Sequence, residues 1–203
     1  MLRRILILFA HPRYELSRTH RALCQALPQA EWLTFRDLYE LYPDYDIDVE
    51  VEKEALQASD LIIWQHPFYW YSAPPLLKQW IDVCLEFKWA YGPGGEALKG
   101  KYLLTALSSG GTREVYQPEG RNRYTLAEFL RPFEQTVRLC HMTYLPPFAV
   151  QGTHRLSPDD LGVQAAHYRD LLALLANPST DLNELLSYDY SSDWLEAIKT
   201  TQR

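Results

Sequence analysis

Three predominantly apolar runs, the first of them uninterrupted, constrain this chain more than any other feature. They are Ile5-Leu6-Ile7-Leu8-Phe9, Leu61-Ile62-Ile63-Trp64 within residues 60–66, and Tyr102-Leu103-Leu104-Thr105-Ala106-Leu107. None alternates polar with apolar positions, so a strand formed from any of them must be covered on both faces, as the central strands of a parallel sheet are. Each run stops abruptly, at His11-Pro12, at Pro67 and at Ser108-Ser109-Gly110-Gly111.

Between the runs the apolar spacing turns helical. Ala22, Leu23, Ala26 and Leu27 recur at helix intervals behind Ser17, a plausible N-cap, and residues 74–87 form an amphipathic helix with proline at its start. Residues 31–35 predict a shorter second strand, residues 39–49 an irregular stretch dense in Tyr, Pro and Asp, and residues 51–59 a short acidic helix. Residues 126–139 predict a helix with a kink or internal start at Pro132, and residues 142–150 a fifth strand that Pro146-Pro147 splits or sends to an edge. Ser157-Pro158-Asp159-Asp160 caps a long helix to about residue 175. Five strands alternating with helices predict an α/β doubly wound parallel sheet with right-handed crossovers in one domain, residues 1–176. Residues 177–203 form a C-terminal extension with one amphipathic helix candidate, 192–199, which packs on the domain, reaches a partner subunit or stays mobile.

The formal net charge of −6 disfavours nucleic acid as a partner, since phosphate backbones reward clustered Lys and Arg. Cys24, Cys84 and Cys140 lie far apart without a C-x-x-C, so they read as buried reduced thiols and no metal site is expected. Met1-Leu2-Arg3-Arg4 leads straight into a strand instead of a signal peptide, and no apolar run is long enough to span a bilayer, so a cytoplasmic protein is expected.

In such a sheet ligands bind beyond the carboxyl ends of the strands. The loop after the first run lacks G-x-G-x-x-G and the P-loop pattern, which disfavours a dinucleotide fold or an ATPase. It places Ser17, Arg18, Thr19 and His20 at a helix start, with His11 beside them, a composition that suits an anion as well as it suits an ordinary cap. The loop after the second run is aromatic at Phe68, Tyr69, Trp70 and Tyr71, able to stack on a flat ring. Ser108, Ser109, Gly110 and Gly111 offer hydroxyls and a backbone that a ligand can approach closely. An anion pocket, an aromatic loop and a glycine loop on one edge together suit a flavin mononucleotide.

These residues resemble a known family. Gln65-His66-Pro67-Phe68-Tyr69-Trp70-Tyr71-Ser72-Ala73-Pro74-Pro75-Leu76-Leu77-Lys78-Gln79-Trp80-Ile81-Asp82, with Ala10-His11-Pro12, Trp89-Ala90-Tyr91-Gly92-Pro93-Gly94-Gly95 and Leu98-Lys99-Gly100-Lys101, is similar to the flavodoxin-like NAD(P)H:quinone oxidoreductases. Leu41-Tyr42-Pro43-Asp44, Ile47-Asp48, Arg123-Tyr124 and Leu130-Arg131-Pro132-Phe133-Glu134 resemble most the ancillary subunits of glutathione-regulated potassium-efflux systems. The resemblance implies sheet order 2-1-3-4-5, a cytoplasmic homodimer, and docking on a membrane transporter at the inner face of the cell membrane. It implies bound FMN, with FAD the alternative, its phosphate held by His11 and Ser17, Arg18, Thr19 and His20, its ring by Phe68, Tyr69, Trp70 and Tyr71, and its polar edge by Ser108, Ser109, Gly110 and Gly111. Relatives more often carry Asn where this chain has His20.

The implied reaction moves a hydride from NAD(P)H through the flavin to quinones or similar electrophiles. Relatives place a Tyr and a His downstream of the glycine loop. Tyr116 matches the first, whereas Asn122 stands at the second and donates a hydrogen bond without relaying a proton near neutral pH. A redox-sensing regulatory subunit of a potassium-efflux transporter, with little or no turnover, is the rival reading.

Overall fold

The computed structural model describes residues 1–201. The strands β1 (Ile5–Phe9), β2 (Leu33–Asp37), β3 (Leu61–Pro67), β4 (Tyr102–Ser108) and β5 (Thr143–Val150) form one parallel sheet in the order β2-β1-β3-β4-β5. Every residue of β1 and β3 is buried, as their unbroken apolar runs require.

Alternation along these strands feeds two cores. Leu6, Leu8, Ile62 and Trp64 face one side, where they meet α3 (Val49–Ala58), α4 (Pro75–Cys84), α5 (Leu126–Phe129) and α6 (Arg131–Leu139). Ile5, Ile7, Phe9, Leu61 and Ile63 face the other and meet α1 (Arg18–Gln25) and α7 (Pro158–Ala176). The carboxyl ends of β1, β3 and β4 finish side by side, with Phe9 opposite Gln65 and Pro67 opposite Ser108. The loops that follow therefore leave from a common edge.

Several elements differ from the sequence expectation. The second strand starts two residues late and ends at Asp37, whose carboxylate accepts from the amides of Tyr39 and Glu40 and so starts the one-turn helix α2 (Leu38–Leu41) inside the stretch read as irregular. The acidic helix begins at Val49 because Asp48 is its N-cap. Residues 126–139 bear out the internal start expected at Pro132: two helices join at Leu130, and Pro132 lies in the first turn of the second. Cys24 is only half-buried. β5 lies at the sheet edge, as its two prolines led one to expect, and runs unbroken through Pro146-Pro147. Its register against β4 shifts between Leu104 and Ala106, and this bulge accommodates two residues without N–H donors.

One buried charge ties three elements together. Glu52 of α3 is fully buried and accepts from Arg36 of β2 (3.0 and 2.6 Å), from the Tyr42 hydroxyl (2.7 Å) and from the Trp80 indole of α4 (2.9 Å).

Residues 177–201 lie against the second core. The Arg3 guanidinium donates to the carbonyls of Asn177 (2.5 Å), Pro178 (3.3 Å) and Thr180 (2.9 Å), fastening the lead-in. A 3₁₀ turn (Leu182–Ser187) buries Leu182 and Leu185, and α8 (Ser191–Thr201) buries Trp194 and Leu195.

Candidate functional site

At the carboxyl edge of β1, β3 and β4 the loops enclose a cleft of about 530 Å³, within the range of small-molecule sites. His11, Ser17, Arg18, Thr19, Phe68, Tyr69, Ser108, Ser109 and Gly110 all line it. A smaller cleft of about 270 Å³ adjoins it at Phe68 and is lined by Trp70, Tyr71, Gly111, Tyr116 and Asn122. Of the residues expected at the site, only His20 lines neither.

At one end of the larger cleft, Ser17 caps α1 by accepting from the His20 amide at 3.1 Å. The amides of Arg18 and Thr19 have no carbonyl partner inside the helix, as in any first turn, and together with the positive end of the helix dipole they attract an anion. His11 Nδ1 accepts from the Arg13 amide at 3.1 Å, which places the ring's proton on Nε2. Burial lowers the His11 pKa against the opposing pull of Glu15, so the neutral ring remains a donor. The Arg18 guanidinium turns aside to the Leu156 carbonyl (2.8 Å).

His20 lies fully buried behind the cleft wall. Its Nδ1 sits 3.5 Å from the Gln65 amide nitrogen and its Nε2 2.9 Å from the Ser108 hydroxyl. The Tyr168 hydroxyl donates to the Gln65 oxygen (2.9 Å), which orients that amide and makes its nitrogen the donor to His20. His20 then donates from Nε2 to Ser108, and the Ser108 proton is left for the cleft. Burial first, and then the nearby His11 and His66, hold the His20 pKa well below the ordinary imidazole value.

The aromatic loop is a tight turn. The Ser72 amide donates to the Tyr69 carbonyl (3.0 Å), while Trp70 and Tyr71 both adopt positive φ, at 49° and 62°. Two bulky residues in that conformation cost on the order of 1–2 kcal/mol each. Tyr71 is held by stacking on Phe129, with centroids 4.8 Å apart, and by a hydrogen bond from its hydroxyl to Asn122 Oδ1 (3.4 Å). Trp70 is 93% exposed, so no packing explains its strain.

The glycine loop sits where side chains would collide. A Cβ on Gly110 would lie 2.8 Å from His154 Nε2, and one on Gly111 would lie 2.9 Å from the Tyr116 ring. Tyr116 is buried against Phe68 and Phe129. Burial raises its pKa, with the Ser109 and Asn122 side chains opposing, so its hydroxyl keeps its proton at neutral pH.

Arg13, Leu16, Pro67, Thr153 and His154 also line the larger cleft. Thr153 and His154 belong to a fourth loop, after β5, which the amides of Gly152 and Thr153 tie to the carbonyls of Gly111 (2.9 Å) and Ser109 (3.1 Å). Its signal in the sequence was positional: β5 ends on the same edge as the other strands.

Residues 3–175 match the family model described as having a flavodoxin-like fold. The chain is 43% identical over 170 residues to a protein of Pectobacterium carotovorum named glutathione-regulated potassium-efflux system ancillary protein KefG, covering 84% of this chain and 93% of that one. The crystal structure of general stress protein 14 from Treponema denticola, in complex with FMN, superposes with a TM-score of 0.81 at 38% identity, covering 85% of this chain and 99% of that one. An NADPH-quinone reductase structure from P. pentosaceus gives a TM-score of 0.76 at 34% identity, covering 86% and 98%. On sheet order, family match and relatives alike, the chain belongs to the flavodoxin-like family.

Proposed function

We propose that the larger cleft holds FMN and that the chain oxidises NAD(P)H and passes the electrons to quinones or similar electrophiles. One observation carries this reading. The N-terminus of α1, the aromatic residues Phe68 and Tyr69, and Ser108, Ser109 and Gly110 converge on one cleft, in a chain 38% identical to a protein crystallised with FMN. The relative named as an NADPH-quinone reductase supports the choice of donor and acceptor.

When bound, the flavin supplies the two-electron chemistry. The chain supplies placement. The first-turn amides of α1, with Ser17 and the Nε2 proton of His11, hold the phosphate. Phe68, Tyr69 and the turn at Trp70 and Tyr71 bound the ring, and Gly110 and Gly111 admit it close to the backbone. Ser108, held as a donor by His20, and the protonated Tyr116 direct hydrogen bonds toward negative charge that builds up in the cleft. The Tyr71 hydroxyl donates to Asn122 Oδ1, which helps orient the Asn122 amide at the wall of the adjoining cleft. Nicotinamide and quinone then occupy that smaller cleft in turn, and Asn122 moves no proton between them. The 38% identical relative was crystallised with FMN, which favours FMN over FAD.

Absorbance of the purified protein and its NAD(P)H oxidation with and without a soluble quinone test this. Flavin bands and quinone-dependent oxidation are expected; oxidation no faster with quinone than without would overturn the enzyme reading. A second reading, a regulatory subunit docked on a potassium-efflux transporter at the inner membrane face, is favoured by the 43% identity to the ancillary protein. Among the described residues no helix is long and apolar enough to cross a membrane, so attachment would be peripheral. The exposed Trp70, Tyr71, Phe87 and Tyr124 suit a homodimer contact. Co-purification with the transporter, in a strain in which turnover is undetectable, would support the regulator.

A further inference from the structure

We propose that the C-terminal segment braces the loop that carries Tyr116, and that Asp193 is a positioning residue for the reaction in the cleft. The inference rests on the reading of that cleft given above and adds a role for residues that lie beyond the family match at 3–175.

The loop from β4 to α5 is long and has little regular structure. Its one ordered piece before Tyr116 is a 3₁₀ turn (Arg113–Val115). The Tyr116 amide donates to the Arg113 carbonyl (3.1 Å) and the Asn122 amide to the Val115 carbonyl (3.1 Å), so both cleft residues are tied through their backbone to that turn. The turn buries none of its own side chains. Val115 packs partly against the first core, and the turn's charged anchor comes from α8. Arg113 Nη1 donates to Asp193 Oδ1 at 2.9 Å and Nη2 to Oδ2 at 2.7 Å, the two-pronged geometry that gives an Arg–carboxylate pair its direction. The same guanidinium lies over the Tyr190 ring, 4.3 Å from its centroid.

The brace has firm footing. Trp194 and Leu195, adjacent to Asp193, are buried in the core beneath α7. The Ser191 hydroxyl donates to the Pro146 carbonyl in the β5 bulge, and Lys199 pairs with Asp170 of α7 at 2.7 Å. Asp193 also sits in the first turn of α8, where a negative charge is favourable without Arg113, so its location does not depend on the loop. The far end of the clamp is therefore rigid and the near end is the loop, which is the arrangement in which one ion pair sets geometry. The pair is partly exposed, and its contribution to global stability is correspondingly small.

The test compares the full-length wild type with Asp193→Asn and Asp193→Glu. Amide hydrogen exchange is read at Val115, Tyr116 and Asn122, alongside FMN affinity and NADPH:quinone turnover. Asp193→Asn is expected to speed exchange at those three amides while residues 17–20 and 68–72 stay unchanged, to leave FMN affinity within about twofold, and to lower kcat roughly tenfold. Asp193→Glu restores exchange and kcat together. Unchanged exchange in Asp193→Asn overturns the brace, as does acceleration spread over the whole chain. Local acceleration with unchanged kcat overturns the positioning role. Should the wild type bind no FMN, the functional reading fails, and the exchange data still decide the brace.

Discussion

The two glycines of the β4 loop differ in what surrounds them. The atom that a Cβ on Gly110 would meet is the far end of His154, an exposed side chain free to swing away. A Cβ on Gly111 would meet the Tyr116 ring, which is buried and packed on Phe68 and Phe129, so it yields only by losing that packing. Gly111→Ala is therefore expected to cost more than Gly110→Ala, on the order of 1–3 kcal/mol for overpacking, and to lower turnover by displacing Tyr116. Urea denaturation and steady-state kinetics on both variants check the order. At this scale the sequence was partly readable. The anion-loop residues and the glycines were identifiable by type, but His20 was not distinguishable from its neighbours: whether a histidine at a helix start faces ligand or core depends on Gln65 and Ser108, which come from other strands.

Among the elements, the strands buried on both faces were the most legible, because a continuous apolar run has few other uses. The edge strands were less so. β2 has exposed positions and ended two residues beyond its apolar stretch, and the prolines of β5 were reconciled by a bulge that depends on its neighbour β4. The charge that links elements was invisible in the sequence, since Glu52 reads as one of several acids on a surface helix. Its burial makes it a sharp test of how β2, α3 and α4 are held. Glu52→Gln, which leaves the Arg36 charge without its partner, is expected to lower unfolding stability by about 3 kcal/mol. A urea midpoint shift smaller than that of an ordinary surface substitution would contradict the geometry.

For the whole molecule, the fully buried histidines set a dependence on acid. His66 donates from Nδ1 to the Pro67 carbonyl (2.9 Å), and burial lowers its pKa from 6.5 to about 4. The unfolded chain binds this proton before the folded one does, so the stability is complete above about pH 6.5 and declines as pH falls toward 4. His20, lowered in the same direction, adds to the decline. Between pH 7 and pH 5 the loss due to His66 is on the order of 2 kcal/mol, and His66→Gln should flatten the slope of urea stability against pH over that interval. The central claim is that the convergent cleft binds FMN, and equilibrium titration of flavin-free protein into FMN, followed by flavin fluorescence, tests it most directly. A saturable change at one flavin per chain that Gly111→Ala weakens is the predicted result; fluorescence that does not respond to the protein would contradict the account.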